Sequence, residues 1–382
     1  MNSGDIKPEL ISAGQIRIGL IGATPGRGWA GMAHVPAIRA VRDVTLQAVA
    51  TRSNETAQAA AEAFGAPRWF GDAGDMIADD EVDAIVVAVK APAHYALVKR
   101  ALLAGKPVFC EMPFGHTIEE ARELEALARA AGSVTAVGLQ GRFSPWLQQA
   151  REIVRSGRLG RVLSTSMIVN DELSTGTIDQ GNAYLLDVAN GANPLTIHSG
   201  HYLDALCFTL GDLVTVSATT AISRPVVVVR QTGRSIAATS PDQIVASGLL
   251  DTGAVVSFHM RAGSGDPSFV WEIQGEKAML RVTSKGYLMW RPLKLELWDV
   301  GAKQWEVVSS AANSSGNAGT SALDGPASFV ASAYAAFAAD ILTGSRQSIS
   351  FTDALAGRET VEAIRIAALN GIATRPSARA LT

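Results

Sequence analysis

Two α/β units in tandem are the fold class this sequence predicts: a doubly wound parallel sheet of the Rossmann type, then an α/β domain built on a large, mostly antiparallel open sheet. Three observations predict it. Short apolar runs at 16–21, 44–50, 84–89, 108–110 and 134–139 alternate with helical stretches, the pattern of parallel βαβ units. After residue 141, β-rich runs follow one another through short turns instead of helices, as antiparallel sheets do. The length, 382 residues, fits about two domains.

Each element has its own signal. The run 16–21 is apolar except at Arg17 and ends in Gly22, which reads as a mostly buried strand. A helical stretch at 29–42 leads to the strand 44–50. An alanine-rich helix at 55–64 stops at Gly65, and a short helix ends near 76–78. Helices at 94–104 and 118–131 are closed by Gly105 and Gly132, where glycine takes the left-handed cap at little cost. A helix at 145–156 stops at Gly157. Strands are expected at 162–169, 213–221, 243–250, 254–260, 270–274, 278–282 and 293–298, interrupted by a helix at 192–210. The Ser-, Asn- and Gly-rich stretch 311–321 reads as a loop, and helices at 328–342 and 352–368 close the chain. Residues 1–14 form a loose leader, 15–141 the first domain and 142–382 the second.

Composition narrows the function. Apolar residues make up 47% and charged ones 18%, an ordinary composition for a chain with more than one core. The net charge is −3 and the basic residues are dispersed, so no nucleic-acid footprint is present. No apolar stretch reads as a membrane span, and the polar start lacks the pattern of a signal peptide. A cytoplasmic protein is expected. Its two cysteines, Cys110 and Cys207, have no zinc or disulfide spacing and read as reduced thiols. No metal-ligand spacing stands out, although His198 and His201 are near neighbours.

The strand at 16–21 runs into a glycine-bearing loop, Gly22-Ala23-Thr24-Pro25-Gly26-Arg27-Gly28-Trp29, which opens a helix. Glycines there let backbone N–H groups approach a pyrophosphate, and the helix start favours anions. The second strand ends in Thr51-Arg52-Ser53. An acidic residue at that point would hold a ribose 2′-hydroxyl. An arginine instead suits a 2′-phosphate through forked, charge-assisted bonds. The sequence therefore favours NADP(H), with NAD(H) left open, and a solvated loop arginine is the alternative for both Arg27 and Arg52.

Further along, five segments resemble the Gfo/Idh/MocA family of oxidoreductases (glucose-fructose oxidoreductase, inositol dehydrogenase and relatives). They are Cys110-Glu111-Met112-Pro113, the run from Gly138 through Gln140 and Arg142 to Pro145, the Gly157–Gly160 turn, Asp187 with Asn190 and Gly191, and Gly200-His201 with Asp204. Within the family, the pattern is similar to the branch of the galactose-pathway regulatory repressor. The resemblance implies cofactor contacts from Lys90, His94, Glu111, Met112, Pro113 and Gln140. It implies substrate contacts from Arg142, Tyr184, Asp187, Asn190, His198 and His201. It also implies a homodimer or homotetramer joined through the second domain's sheet.

The resemblance breaks at the chemistry. The family's Glu-Lys-Pro motif is Glu111-Met112-Pro113 here, and methionine neither donates a hydrogen bond nor carries charge. The acidic residue four places before the catalytic histidine is Ile197 if His201 is that histidine. His201 is the first candidate for the proton-transferring group. Lys90, at the carboxyl end of an apolar strand, is the second, provided that desolvation lowers its pKa. His198, three residues before His201, faces the same side of a regular helix. Taken with these residues, the resemblance implies an NAD(P)-dependent oxidoreductase moving hydride between nicotinamide and a hydroxyl or carbonyl of a sugar, polyol or related small molecule. Two alternatives stand beside it: a dinucleotide-binding regulator without turnover, and an enzyme that uses bound cofactor transiently for oxidation, elimination and reduction.

Overall fold

The computed structural model describes residues 14–26, 28–308, 323 and 325–371. Its first sheet has six strands: β1 (Ile16–Ile21), β2 (Val44–Ala50), β3 (Arg68–Phe70), β4 (Ala84–Val87), β5 (Val108–Cys110) and β6 (Thr135–Val137). All pairs are parallel, in the order β3-β2-β1-β4-β5-β6. The continuous apolar runs explain this. Every residue of β4, β5 and β6 is buried, as strands covered by helices on both faces must be. Helices α1 (Val35–Ala40), α2 (Asn54–Phe64), α3 (Ala73–Ile77), α4 (His94–Leu103) and α5 (Ile118–Ala131) make the crossovers. The strand order reverses between β1 and β4, which opens a crevice at their carboxyl ends.

Among the described residues the second sheet has eight strands. They are β7 (Val162–Asp171), β9 (Leu213–Ala221), β12 (Gln243–Leu250), β13 (Val255–Ala262), β14 (Ser268–Gly275), β15 (Ala278–Ser284), β16 (Lys294–Asp299) and β17 (Gln304–Val307). Their order is β17-β16-β15-β14-β7-β13-β12-β9, and only β7 and β13 run parallel. One face packs under α6 (Pro145–Arg155), α7 (Gly200–Leu210) and α9 (Phe351–Asn370), with Trp271, Phe258, Tyr202 and Leu206 in its core. The other face leaves Ile168, Val214, Val245, Leu249, Val255 and Val270 exposed. A separate ribbon of β8 (Thr177–Ile178), β10 (Val226–Val229) and β11 (Ser235–Ala237) has its own small core of Ile178, Leu186, Val227 and Val229.

The two closing helices tie the halves together. Helix α8 (Pro326–Thr343) places Val330, Tyr334 and Phe337 among Ile18, Ile38 and Phe109 of the first sheet's core. The sequence predicted no bilayer-spanning stretch, yet α8 is long and apolar enough by length and composition alone. Its apolar surface is spent on that core, which explains the composition. Helix α9 reaches both cores: Phe351 stacks on Phe114, ring centroids 4.6 Å apart, and Val361 and Ile364 pack beneath the second sheet.

Two predicted helices differ in form. The stretch 29–42 contains a π-helical turn, Ala30–His34, before α1. The stretch 192–210 likewise begins with a π-helical turn, Pro194–Ser199, before α7. Wide turns of this kind shift the facing of side chains and are frequent at functional sites. Both border the crevice. Strands β3, β8, β10, β11 and β17 had no predicted counterpart. The predicted loop at 311–321 lies outside the described residues.

Candidate active site

At the carboxyl end of β1, the chain turns sharply at Gly22, with φ +102°. A Cβ there would stand 2.7 Å from the Ala88 carbonyl oxygen and 2.7 Å from Val89 Cγ1. Only glycine lets this turn lie against the end of β4. Gly26 and Gly28 also have positive φ, with open space where a Cβ would be. Thr24 is half-buried beside them. Arg27 lies outside the described residues. Trp29 follows, half-buried, with its Nε1 unpartnered and its ring 5.6 Å from that of Trp290.

After β2, Ser53 caps α2 by accepting the Thr56 N–H at 3.3 Å, and Thr51 Oγ1 stands 2.6 Å from Thr56 Oγ1. Arg52 between them is exposed and makes no ion pair or hydrogen bond among the described residues. The cap fixes the turn, and the arginine is left available for an outside anion.

The ends of β4 and β5 form the floor. Lys90 is exposed, its Nζ 4.7 Å from the Tyr184 ring centroid. The desolvated lysine expected from sequence is therefore not found. The chain turns into a short 3-10 segment, Ala91–Ala93, directly after it, which carries the side chain to the surface. His94 is buried, with Nδ1 2.7 Å from the Pro113 carbonyl and Nε2 2.9 Å from the Val89 carbonyl. Burial pulls its pKa down, with the two carbonyls opposing. The ring sits between the two carbonyls, and its single N–H in the neutral form can donate to one of them, so His94 packs the segment after β4 against the one that holds Pro113. Met112, where the family has lysine, is buried against Gly200 at the start of α7.

Glu111 is held from behind. Its Oε1 lies 2.9 Å from His34 Nε2, and His34 Nδ1 lies 2.8 Å from the Tyr334 hydroxyl. A Cβ on Gly138 would fall 2.5 Å from its carboxylate, so the space above the carboxylate requires glycine there. Gln140 is buried with its Oε1 unpartnered. These residues fit a dinucleotide: a glycine cradle at a strand-to-helix turn, then Trp29 Nε1 and Gln140 Oε1, a donor and an acceptor without partners among the described residues.

Opposite them stands the second wall. A cavity of about 600 Å³ lies between the walls, lined on the first side by Trp29, Val89, His94, Glu111, Met112 and Gln140. On the second side Ile197, His198 and His201 come from the π-helical turn and α7, and Tyr287, Met289 and Trp290 from the segment between β15 and β16. Asp179 and Arg230, just past the ends of β8 and β10, and Tyr184, from a 3-10 segment at Ala183–Leu186, complete the lining at the outer lip. Arg230 Nη2 donates to Asp179 Oδ2 at 2.8 Å, which pins β10 to the end of β8.

The two histidines have opposite surroundings. His201 is buried, and burial pulls its pKa down to about 4 against the nearby Glu111 and Asp204 charges. His198 Nδ1 contacts Asp171 Oδ2. Asp171, the last residue of β7, is fully buried and also accepts the Leu173 N–H at 2.6 Å and the Tyr287 hydroxyl at 2.9 Å. Burial opposes charge on both partners, but their attraction outweighs it: His198 is raised and Asp171 lowered from their ordinary values. His198 Nε2 has no partner among the described residues.

Three expected substrate contacts lie elsewhere. Arg142 donates from Nε to Asp204 Oδ2 at 2.9 Å and stands over the Phe208 ring, outside the cavity lining. Asp187 caps a short turn by accepting the Ala189 N–H at 3.0 Å. Asn190 donates to the Tyr184 carbonyl at 2.8 Å, holding that residue in place behind the lip. Sequence reasoning missed Asp171, Tyr287 and Trp290. The available signal was an acidic residue at a strand's carboxyl end, where sites gather.

Comparison with known proteins fits this geometry. The profile of the "Oxidoreductase family, NAD-binding Rossmann fold" matches residues 16–139, and that of the "Gal80p, C-terminal domain" matches residues 145–284. The dehydrogenase aclE of Aspergillus oryzae is 34% identical over 276 residues, covering 69% of this chain and 75% of that protein. This chain belongs to the Gfo/Idh/MocA oxidoreductase family. This family member is also 26% identical to the galactose/lactose metabolism regulatory protein GAL80 of Kluyveromyces lactis, over 71% of the chain and 64% of that protein. Among solved structures, levoglucosan dehydrogenase in complex with NADH and levoglucosan superposes with a TM-score of 0.82 at 19% identity, covering 95% of this chain and 99% of the other. That last likeness concerns the fold.

Proposed function

We propose that this protein is an NADP(H)-dependent dehydrogenase acting on a hydroxyl, or the corresponding carbonyl, of a sugar, polyol or related cyclic small molecule. One observation carries the reading: the cavity has the segments that follow β4 and β5, with Trp29, on one side and two histidines on the other. When bound there, a nicotinamide dinucleotide supplies the hydride acceptor or donor. The chain's own residues do the rest. The Gly22 turn receives the pyrophosphate, Arg52 pairs with the 2′-phosphate, and Trp29, Glu111 and Gln140 hold the nicotinamide end. Trp290 and Tyr287, rings 5.1 Å apart, give a cyclic substrate a face to stack on. A histidine takes or gives the hydroxyl proton.

The test is to denature the purified protein and identify any released dinucleotide. Added NADP+ is then followed by absorbance against a panel of sugars, polyols and cyclic alcohols. Turnover with at least one alcohol is expected. Dinucleotide binding without turnover across the panel contradicts the reading and favours the regulatory alternative, which has the GAL80 likeness and the loss of lysine at Met112 in its favour. The exposed aliphatic face of the second sheet is proposed to pair with a second copy of the chain, and analytical ultracentrifugation showing only monomer would refute that.

A further inference from the structure

We propose that proton transfer in this site belongs to His198, oriented by Asp171 and Tyr287, and not to His201. The proposal rests on the dehydrogenase reading and deepens it by naming the acid–base residue. Its basis is an arrangement that neither the family motif nor local spacing supplies, since Asp171 is separated from His198 by 27 positions along the chain.

A buried carboxylate against one imidazole nitrogen fixes the tautomer. Asp171 Oδ2 faces His198 Nδ1, so Nδ1 carries the hydrogen and Nε2 keeps its lone pair. The carboxylate is itself held by the Tyr287 hydroxyl and the Leu173 N–H on Oδ1. The His198 ring packs edge-on to Tyr287, centroids 5.8 Å apart. Rotation of the imidazole is thereby restrained from two sides. Nε2, with no protein partner among the described residues, belongs to a ring that lines the cavity. This is a base, its orienting carboxylate and a third group behind them.

His201 lacks such a partner. It lies one helical turn on, also in the cavity lining, but makes no hydrogen bond or ion pair among the described residues. Burial holds it near a pKa of about 4, which leaves it neutral and weakly basic at neutral pH. It suits a hydrogen bond to substrate better than proton uptake. The titratable groups facing His198 are Asp171 from β7, Tyr287 from beyond β15 and His201 from α7, with Glu172 and Tyr202 next to Asp171 and Tyr287. Of these, Asp171 touches the ring and sets the sign: the imidazole is raised.

In the oxidative direction the substrate O–H bond breaks and its proton passes to His198 Nε2. The oxygen's electron pair closes the C=O bond as the C–H pair leaves as hydride to the oxidised dinucleotide. Asp171 then stabilises the imidazolium without accepting its proton. In reduction His198 returns that proton to the forming alkoxide.

The experiment uses the full chain with His198→Asn, Asp171→Asn and His201→Asn. Steady-state oxidation is measured across pH, NADP+ affinity by fluorescence titration, and the His198 imidazole titration by NMR without cofactor. His198→Asn is expected to lower kcat by about 100-fold or more with NADP+ affinity unchanged. Asp171→Asn is expected to move both the His198 titration and the rise of kcat with pH to lower pH. His201→Asn is expected to act chiefly on KM. If wild type turns over but His198→Asn keeps its kcat while His201→Asn loses it, the assignment is wrong and the dehydrogenase reading stands. An unmoved His198 titration in Asp171→Asn also overturns it. If wild type oxidises no alcohol, the dehydrogenase reading fails and takes this assignment with it.

Discussion

The two walls of the cavity are built in different ways. The first is backbone: strand ends, a glycine turn and buried groups tied to carbonyls, as at His94. The second is side chains, brought from β7, the π-helical turn at Pro194–Ser199, the segment beyond β15 and a small ribbon with its own core. A cofactor's pyrophosphate is the same in every enzyme that uses it, so its wall can be rigid and sequence-local. A substrate wall must differ between relatives, and it is assembled from parts that vary independently. Substitutions should therefore separate, with those on the first wall costing dinucleotide binding and those on the second costing proton transfer or substrate affinity.

The largest expected effect is on the first wall. Gly22→Val adds strain at φ +102° and overlaps the Ala88 carbonyl. Together these should cost roughly 2–6 kcal/mol and abolish dinucleotide binding, as read by denaturant unfolding and NADP+ titration. A variant that unfolds normally and binds NADP+ would break the distinction between the walls.

On the second wall, Asp171→Asn breaks a buried pair and should cost about 3 kcal/mol. The sign with pH follows from the two shifts. His198 is raised, so its share is full below its ordinary 6.5 and fades as pH climbs through the raised value. Asp171 is lowered, so its share is full above its ordinary 3.8 and fades as pH falls through the lowered value. The stability gap between wild type and Asp171→Asn should thus be widest between these two values and shrink on either side. Thermal unfolding across pH checks it, and a gap that keeps growing above neutral pH would contradict the pairing.

Arg52→Ala sharpens the comparison from the cofactor side. Loss of charge-assisted bonds should weaken NADP+ by about 10-fold or more and leave NAD+ nearly unchanged. Equal weakening of both would remove Arg52 from phosphate recognition. The smallest effect is expected at the lip. Asp179→Asn releases the exposed Arg230 pair and should raise KM while Tm stays where it was.

Much of the first wall was legible in the sequence because its signals are local. The runs at 16–21, 44–50 and 108–110 became strands with those same bounds, and the glycine turn follows its strand directly. The eight-stranded sheet was legible as a class through alternation and short turns. The π-helical turns were not, because a widened turn leaves the apolar spacing of a helix almost intact. The proton site was least legible. Asp171, His198 and Tyr287 meet through the pairing of β7 with its neighbours and the packing of the π-helical turn and α7 beneath them. Composition and spacing carry no record of that. Arg142 was misleading for the same reason: its motif is intact, but the fold turns its guanidinium to Asp204.

The most direct measurement is a single mixing experiment in wild type and His198→Asn: saturate each with NADP+, add an alcohol that wild type oxidises, and follow reduced nicotinamide. Both proteins should bind NADP+ equally, with hydride transfer fast in wild type and nearly absent in His198→Asn. Equal transfer in the two, or loss of NADP+ binding in the variant, would contradict the division of labour between the walls.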